Sequence, residues 1–177
     1  EGAKFVPDGP VMREKPVLLL LHGGPGFDHS IYKPAYSALA DTAQIVYLEG
    51  YLWDPPHAKE AFIKAAKIAH GAERDVALTL SDAFCVDRYR VEFLDLIRSG
   101  TVDLVFANER ELHSLYETAN FDTALNALRN DARLAVVTRS EKGCLVVTRE
   151  ETDVVAANRV ERVVDATGAG DLFAAGF

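Results

Sequence analysis

The sequence is poor in several things that would mark a specialised protein. It has two cysteines, one methionine and one tryptophan in 177 residues. Cys85 and Cys144 stand far apart, so they make no metal-ligand spacing, and a reducing, cytoplasmic setting is expected. Long apolar runs are missing: the longest unbroken aliphatic run, Val17 to Leu21, falls far short of the roughly 20 residues that span a bilayer. No signal peptide is visible. Basic residues are outnumbered, 19 Lys and Arg against 27 Asp and Glu, for a net charge of −8. That balance argues against nucleic acid and against an anionic membrane surface, since both need clustered cations. What remains is an ordinary globular composition, 49% hydrophobic and 26% charged, long enough for one compact α/β domain or a large piece of a bigger one. The chain starts at Glu1 and stops at Phe177 inside an apolar helical pattern, which predicts an incomplete chain.

The patterning alternates. Residues 1–16 read as a loop or weak hairpin, Val17 to Leu21 as a strand buried on both faces, and Ser30 as the cap of a helix running to about Asp41. Gln44 to Leu48 is a second buried strand. Asp54 is expected to cap a helix with Pro55 and Pro56 in its first positions, with Ala61, Phe62, Ala65, Ile68 and Ala69 inward and Gly71 as the stop. Strands follow at Val76 to Leu80, Val102 to Ala107 and Leu134 to Thr138, separated by helices at Asp87 to Arg98, at Glu109 to Tyr116, and from a cap at Asp122 to Leu128. Cys144 to Thr148 and Val154 to Ala157 pair as a hairpin, and a glycine-rich loop from Asp165 to Gly170 opens the last helix. This order predicts an α/β fold: a doubly wound, mostly parallel sheet with helices on both faces. Ligands of such sheets bind beyond the carboxyl ends of the strands, which directs attention to the loops after Leu21, Ala107 and Asp165.

The most specific stretch is "VVDATGAGDLFAAGF", Val163 to Phe177. Gly168, Ala169 and Gly170 open a helix with little side-chain bulk, so backbone N–H groups and the helix dipole are available to an anion. Asp171 follows at once, placed to take a proton from a hydroxyl that attacks a phosphoryl group. A bare Gly-Ala-Gly-Asp is more often a plain helix start, but the longer stretch resembles the signature of the ribokinase-like (PfkB) family of sugar and nucleoside kinases, Asp-Thr-Thr-Gly-Ala-Gly-Asp. Asp165, Thr167, Gly168, Ala169, Gly170 and Asp171 match it, and Ala166 replaces the first Thr. "FANERELHSLY" sets Asn108 and Glu111 three apart at a helix start, similar to the family's Asn-x-x-Glu, which helps organise Mg²⁺ and phosphate. "VVTRSEKGC" has Thr138 and Gly143 where the family has Thr-x-Gly-x-x-Gly at the nucleotide edge, with Ser140 in place of the first Gly. The resemblance covers about residues 49–177, reaching back through "DVALTLSDAFCVDRYRVEFLDLI" to "EGYLWDPP", and within the family is greatest to bacterial adenosine and carbohydrate kinases. It implies ATP and Mg²⁺, a small-molecule sugar or nucleoside as acceptor, Asp171 as base, Gly168 to Gly170 as anion hole, Asn108 and Glu111 as organisers of Mg²⁺ and phosphate, and Asn108, Thr138 and Gly143 at the nucleotide.

Residues 1–48 read differently. "LLLLHGGPGFDHS", Leu18 to Ser30, resembles the strand and His-Gly-Gly-Pro-Gly loop of proline iminopeptidase-type α/β-hydrolases, where Gly23 and Gly24 would supply oxyanion-hole amides. Such a loop needs a serine in a Gly-x-Ser-x-Gly elbow. Ser30, Ser37, Ser81, Ser99, Ser114 and Ser140 all lie outside that frame. The two resemblances meet at "VYLEG", so the chain is expected to be a chimera: a hydrolase-like βαβ piece over 1–48 joined to a partial kinase domain over 49–177, the two forming one continuous sheet. Kinase ancestry with weak or absent turnover is the leading expectation. A peptidase of the iminopeptidase type and a non-catalytic chimeric fragment stand beside it.

Overall fold

The computed structural model describes residues 43–177. The expected strand at Val17 to Leu21, the helix capped by Ser30, and Gly23 and Gly24 lie outside the described residues. Among the described residues six strands form one sheet in chain order: β1 (Ile45–Glu49), β2 (Asp75–Thr79), β3 (Leu104–Asn108), β4 (Leu134–Thr138), β5 (Cys144–Thr148) and β6 (Thr152–Val155). The first four are parallel, and β5 and β6 continue the sheet antiparallel as the expected hairpin. The helices are α1 (Pro56–Gly71), α2 (Ala83–Arg98), α3 (Glu109–Leu115), α4 (Phe121–Asp131) and α5 (Ala169–Gly176). The mixed, mostly parallel sheet with helices on both faces is the fold class the patterning predicts.

The faces are unequally covered. Parallel strands laid down in sequence, each reached by a crossover of the same hand, put their helices on one side. Accordingly α1 to α4 share one core with Leu48, Val76, Leu78, Val105, Ala107, Ala135 and Val137. The alternate residues Tyr47, Ala77, Leu104, Phe106 and Val136 face the other way, where Phe173 and Ala174 of α5 pack on them and Phe177 meets Phe106 edge-on, ring centroids 5.6 Å apart. Among the described residues, no helix is long and apolar enough to cross a membrane. Both cysteines are buried and free.

Several local expectations shift. Asp54 does not cap α1; Pro55 holds the N-cap position in extended backbone, and Asp54 instead pairs with Arg88 at 2.8 Å. The buried stripe of α1 is Phe62, Ala66 and Ala69, while Ala61 and Ile68 are exposed: the face turned to the core follows the 62, 66, 69 spacing of one helix face, rotated from the expected one. α2 starts before Asp87: Asp82 accepts from the amide of Cys85 at 2.8 Å and begins the helix a full turn earlier. Asn120, not Asp122, caps α4, accepting from the amide of Thr123 at 2.9 Å. For α2 and α4 an oxygen-bearing side chain other than the expected one stood nearby in sequence, and the geometry of the preceding loop chose which one reached the helix amides; α1 starts with no side-chain cap.

Candidate active site

The parallel register brings four strand ends to one edge of the sheet. Glu49 pairs with Thr79, Thr79 with Phe106, and Asn108 with Thr138. These residues surround a cavity of about 290 Å³, closed on its remaining side by Gly168 to Asp171. The cavity therefore lies where the carboxyl ends of parallel strands meet a helix start, as the topology requires.

Asn108 leaves β3 in extended backbone and caps α3. Its side-chain oxygen accepts from the amide of Glu111 at 2.9 Å, and Glu111 Oε2 accepts from the amide of Asn108 at 2.9 Å, a reciprocal capping box. Asn108 Nδ2 also donates to Glu111 Oε1 at 2.6 Å. The Asn-x-x-Glu spacing thus does local structural work while both residues line the cavity. Glu111 is only 4% exposed. Burial pushes its carboxyl up to about 6, against the opposing pull of the Asn108 amide and with a small push from the charge on Asp82.

The glycine loop enters α5 through Gly168, whose left-handed backbone (φ 72°) reverses the chain without a side chain to oppose it. A Cβ at Gly170 would meet nothing within 4 Å, so packing does not demand glycine there; its bareness leaves the backbone open to the cavity. The amide of Ala169 donates to the carbonyl of Ala166 at 3.1 Å and so closes the turn. The first-turn amides of Gly170 and Asp171 are the ones left without an intrahelical acceptor. Among the three residues expected to hold an anion, Ala169 therefore shapes the loop with its amide instead of offering it. Asp165 accepts from the amide of Thr167 at 2.8 Å, which holds its carboxyl below the usual range and fixes the loop ahead of Gly168.

Thr138 lines the cavity and Gly143 does not. Gly143 sits in the β4–β5 turn at φ 89°, its carbonyl accepting from the amide of Arg139 at 2.8 Å. The residues that sequence reasoning passed over are Glu49 and Thr79, which end β1 and β2, and Tyr51 and Ser81, which follow them. The rule that directs attention beyond strand ends applied to "LEGY" and "TLSD" as well as to the loop after Ala107. Tyr51 donates its hydroxyl to Asp82, and this bond, with burial, pushes the Tyr51 phenol up to about 12. Burial works against the charge on Asp82, but the bonds from Tyr51 and from the amides of Cys85 and Phe84 outweigh it and hold that carboxyl low. Ser81 adopts φ 71°, strained for a residue with a Cβ, and its hydroxyl accepts from the amide of Tyr51 at 3.3 Å.

A mostly parallel α/β sheet thus carries a capped Asn-x-x-Glu helix and a Gly-Ala-Gly-Asp helix start around one cavity at its strand ends. The chain belongs to the pfkB family of carbohydrate kinases, which it matches over residues 29–177. That match begins ahead of residue 49, so the kinase-family likeness runs through β1 and into the segment that the hydrolase resemblance claimed. The chain is 38% identical over 96 residues to a cytidine kinase of Thermococcus kodakarensis, covering 50% of this chain and 34% of that protein. Among solved structures it is similar to the adenosine kinase from Sinorhizobium meliloti, at 57% identity and TM-score 0.76 over 78% of this chain and 42% of that one. It is also similar to a probable sugar kinase protein from Rhizobium etli, at 56% identity and TM-score 0.75 over 76% of this chain and 41% of that one. The chain thus spans about a third to two fifths of the length of these relatives.

Proposed function

We propose that the cavity is a phosphoryl-transfer site acting on ATP and on a hydroxyl of a sugar or nucleoside. The observation that carries this reading is the convergence of Asp171 and the Gly168–Gly170 loop with Asn108 and Glu111 around one cavity, although they lie far apart in sequence. Asp171 is the base: its carboxylate takes the proton of the acceptor hydroxyl as that oxygen bonds to the γ-phosphorus and the bond to the β-phosphate oxygen breaks, releasing ADP. The open amides at the start of α5, with the helix dipole behind them, bear the negative charge that builds on the transferring group. Thr138 stands at the nucleotide side. Kinship with adenosine, cytidine and sugar kinases favours a ribosyl acceptor.

Mg²⁺ fits the donor set. The cavity presents oxygen ligands only, from Glu49, Glu111, Asp171 and Asn108. Asn108 and Glu111 would hold the ion indirectly, and its charge would offset that of the phosphates.

The test is an ATP-consumption assay across nucleosides and sugars, with Asp171→Asn beside the unaltered chain. The expected result is at most weak turnover, with one acceptor class, and a further loss of roughly 10²- to 10⁴-fold in kcat for Asp171→Asn. Turnover that survives the substitution would overturn the base assignment.

A further inference from the structure

Asn108 and Thr138 are the last paired residues of β3 and β4, and beyond them the ladder no longer holds the two walls of the cavity together. The very next residues are joined by charge. Arg139 Nε donates to Glu109 Oε2 at 3.3 Å and Nη2 to Oε1 at 3.4 Å, a two-pronged contact, and Lys142 Nζ lies 3.8 Å from the same carboxylate. The Arg139 guanidinium also lies over the Phe121 ring, 3.8 Å from its centroid, so its plane is fixed from α4 as well as from α3. The turn that carries it is tied to itself: Arg139 donates its amide to Gly143, Lys142 donates to Arg139 at 3.0 Å, and Ser140 is held at φ 52°. Arg139 and Glu109 are 24% and 30% exposed, so their attraction is less screened than at an open surface.

We infer that Glu109 and Arg139 form a positioning pair that sets the separation of the Asn108 and Thr138 walls, and through it the affinity for the nucleotide; this rests on the phosphoryl-transfer reading above. Neither residue lines the cavity. Their effect travels through one covalent neighbour each. A purely structural pair would also be expected to stabilise the fold, but would have no reason to act on one substrate more than the other.

The test uses the full chain and titrates Mg–ATP by calorimetry, so that affinity is read without turnover. Arg139→Gln, Glu109→Gln and the double variant are compared with Arg139→Lys. Each single change to Gln is expected to weaken Mg–ATP binding roughly three- to tenfold, the range of a partly buried ion pair. The double variant should be no weaker than the worse single one, and Arg139→Lys should recover part of the loss. Where turnover is measurable, KM for ATP should rise while kcat and the acceptor KM hold. Additive losses, or a lowered unfolding temperature with unchanged affinity, would leave the pair a structural contact and overturn the inference. If the unaltered chain fails to bind Mg–ATP, the site reading itself falls and takes the pair with it; if it binds and the variants bind equally, only the pair falls.

Discussion

Glu111 is the buried carboxylate of the site, and its setting has a measurable consequence. Folding raises its pKa from 4.5 to about 6, chiefly through burial. A carboxyl raised on folding binds its proton more tightly in the native state, so its contribution favours the fold fully below pH 4.5 and fades as pH rises through 6, a difference of about 2 kcal/mol. Unfolding temperatures of the unaltered chain and of Glu111→Gln, measured at steps between pH 4 and about 7, should therefore converge on the acid side and separate as pH rises, with Gln the flatter. Parallel curves would show that the carboxyl is not perturbed. The residue type and spacing were visible in "NERE"; the burial was not, because it depends on the packing of α3 into the fold, and the charge of Asp82 that adds to the shift comes from elsewhere in the chain.

At the scale of elements, two glycines of the motifs do different work. A Cβ at Gly143 would lie 1.9 Å from the carbonyl oxygen of Val155, and the backbone there has φ 89°. Gly143→Ala is expected to cost about 3 kcal/mol or more and to loosen the β4–β5 turn against β6, while Gly170→Ala, with open space around it, should leave the unfolding temperature nearly unchanged. Thermal or denaturant unfolding of the two variants checks this directly; equal effects would refute it. The sequence places both glycines in resembling motifs and assigns Gly143 to the nucleotide, but only the packing of β6 against that turn reveals what excludes a side chain. Helix starts were similarly half legible. The caps at Asn108 and at the Gly-Ala-Gly-Asp stretch follow from the residues themselves, whereas those at Asp82 and Asn120 depended on loop geometry that local spacing does not fix.

For the molecule as a whole, charge is the deciding feature. The chain carries a net charge of −8, and among the described residues the cavity lining includes Glu49, Glu111 and Asp171 but no Lys, Arg or His. An unaccompanied triphosphate entering such a site meets like charge in a partly desolvated cleft. Removing Mg²⁺ with a chelator is therefore expected to weaken ATP binding by at least about tenfold, read by the same titration; undiminished binding would point to a source of positive charge outside the cavity lining. By itself the sequence determined the alternation of strands and helices, the capping box at Asn108 and the glycine entry to α5, because each is set by residues within a few positions of one another. Only the tertiary structure decided that these motifs share a cavity, that Glu49, Tyr51, Thr79 and Ser81 complete it, and that α1 to α4 gather on one face while α5 lies on the other. The physical reason is the parallel register: strands laid side by side in one direction bring residues distant in sequence to a common edge, and nothing local to any one of them encodes that neighbour.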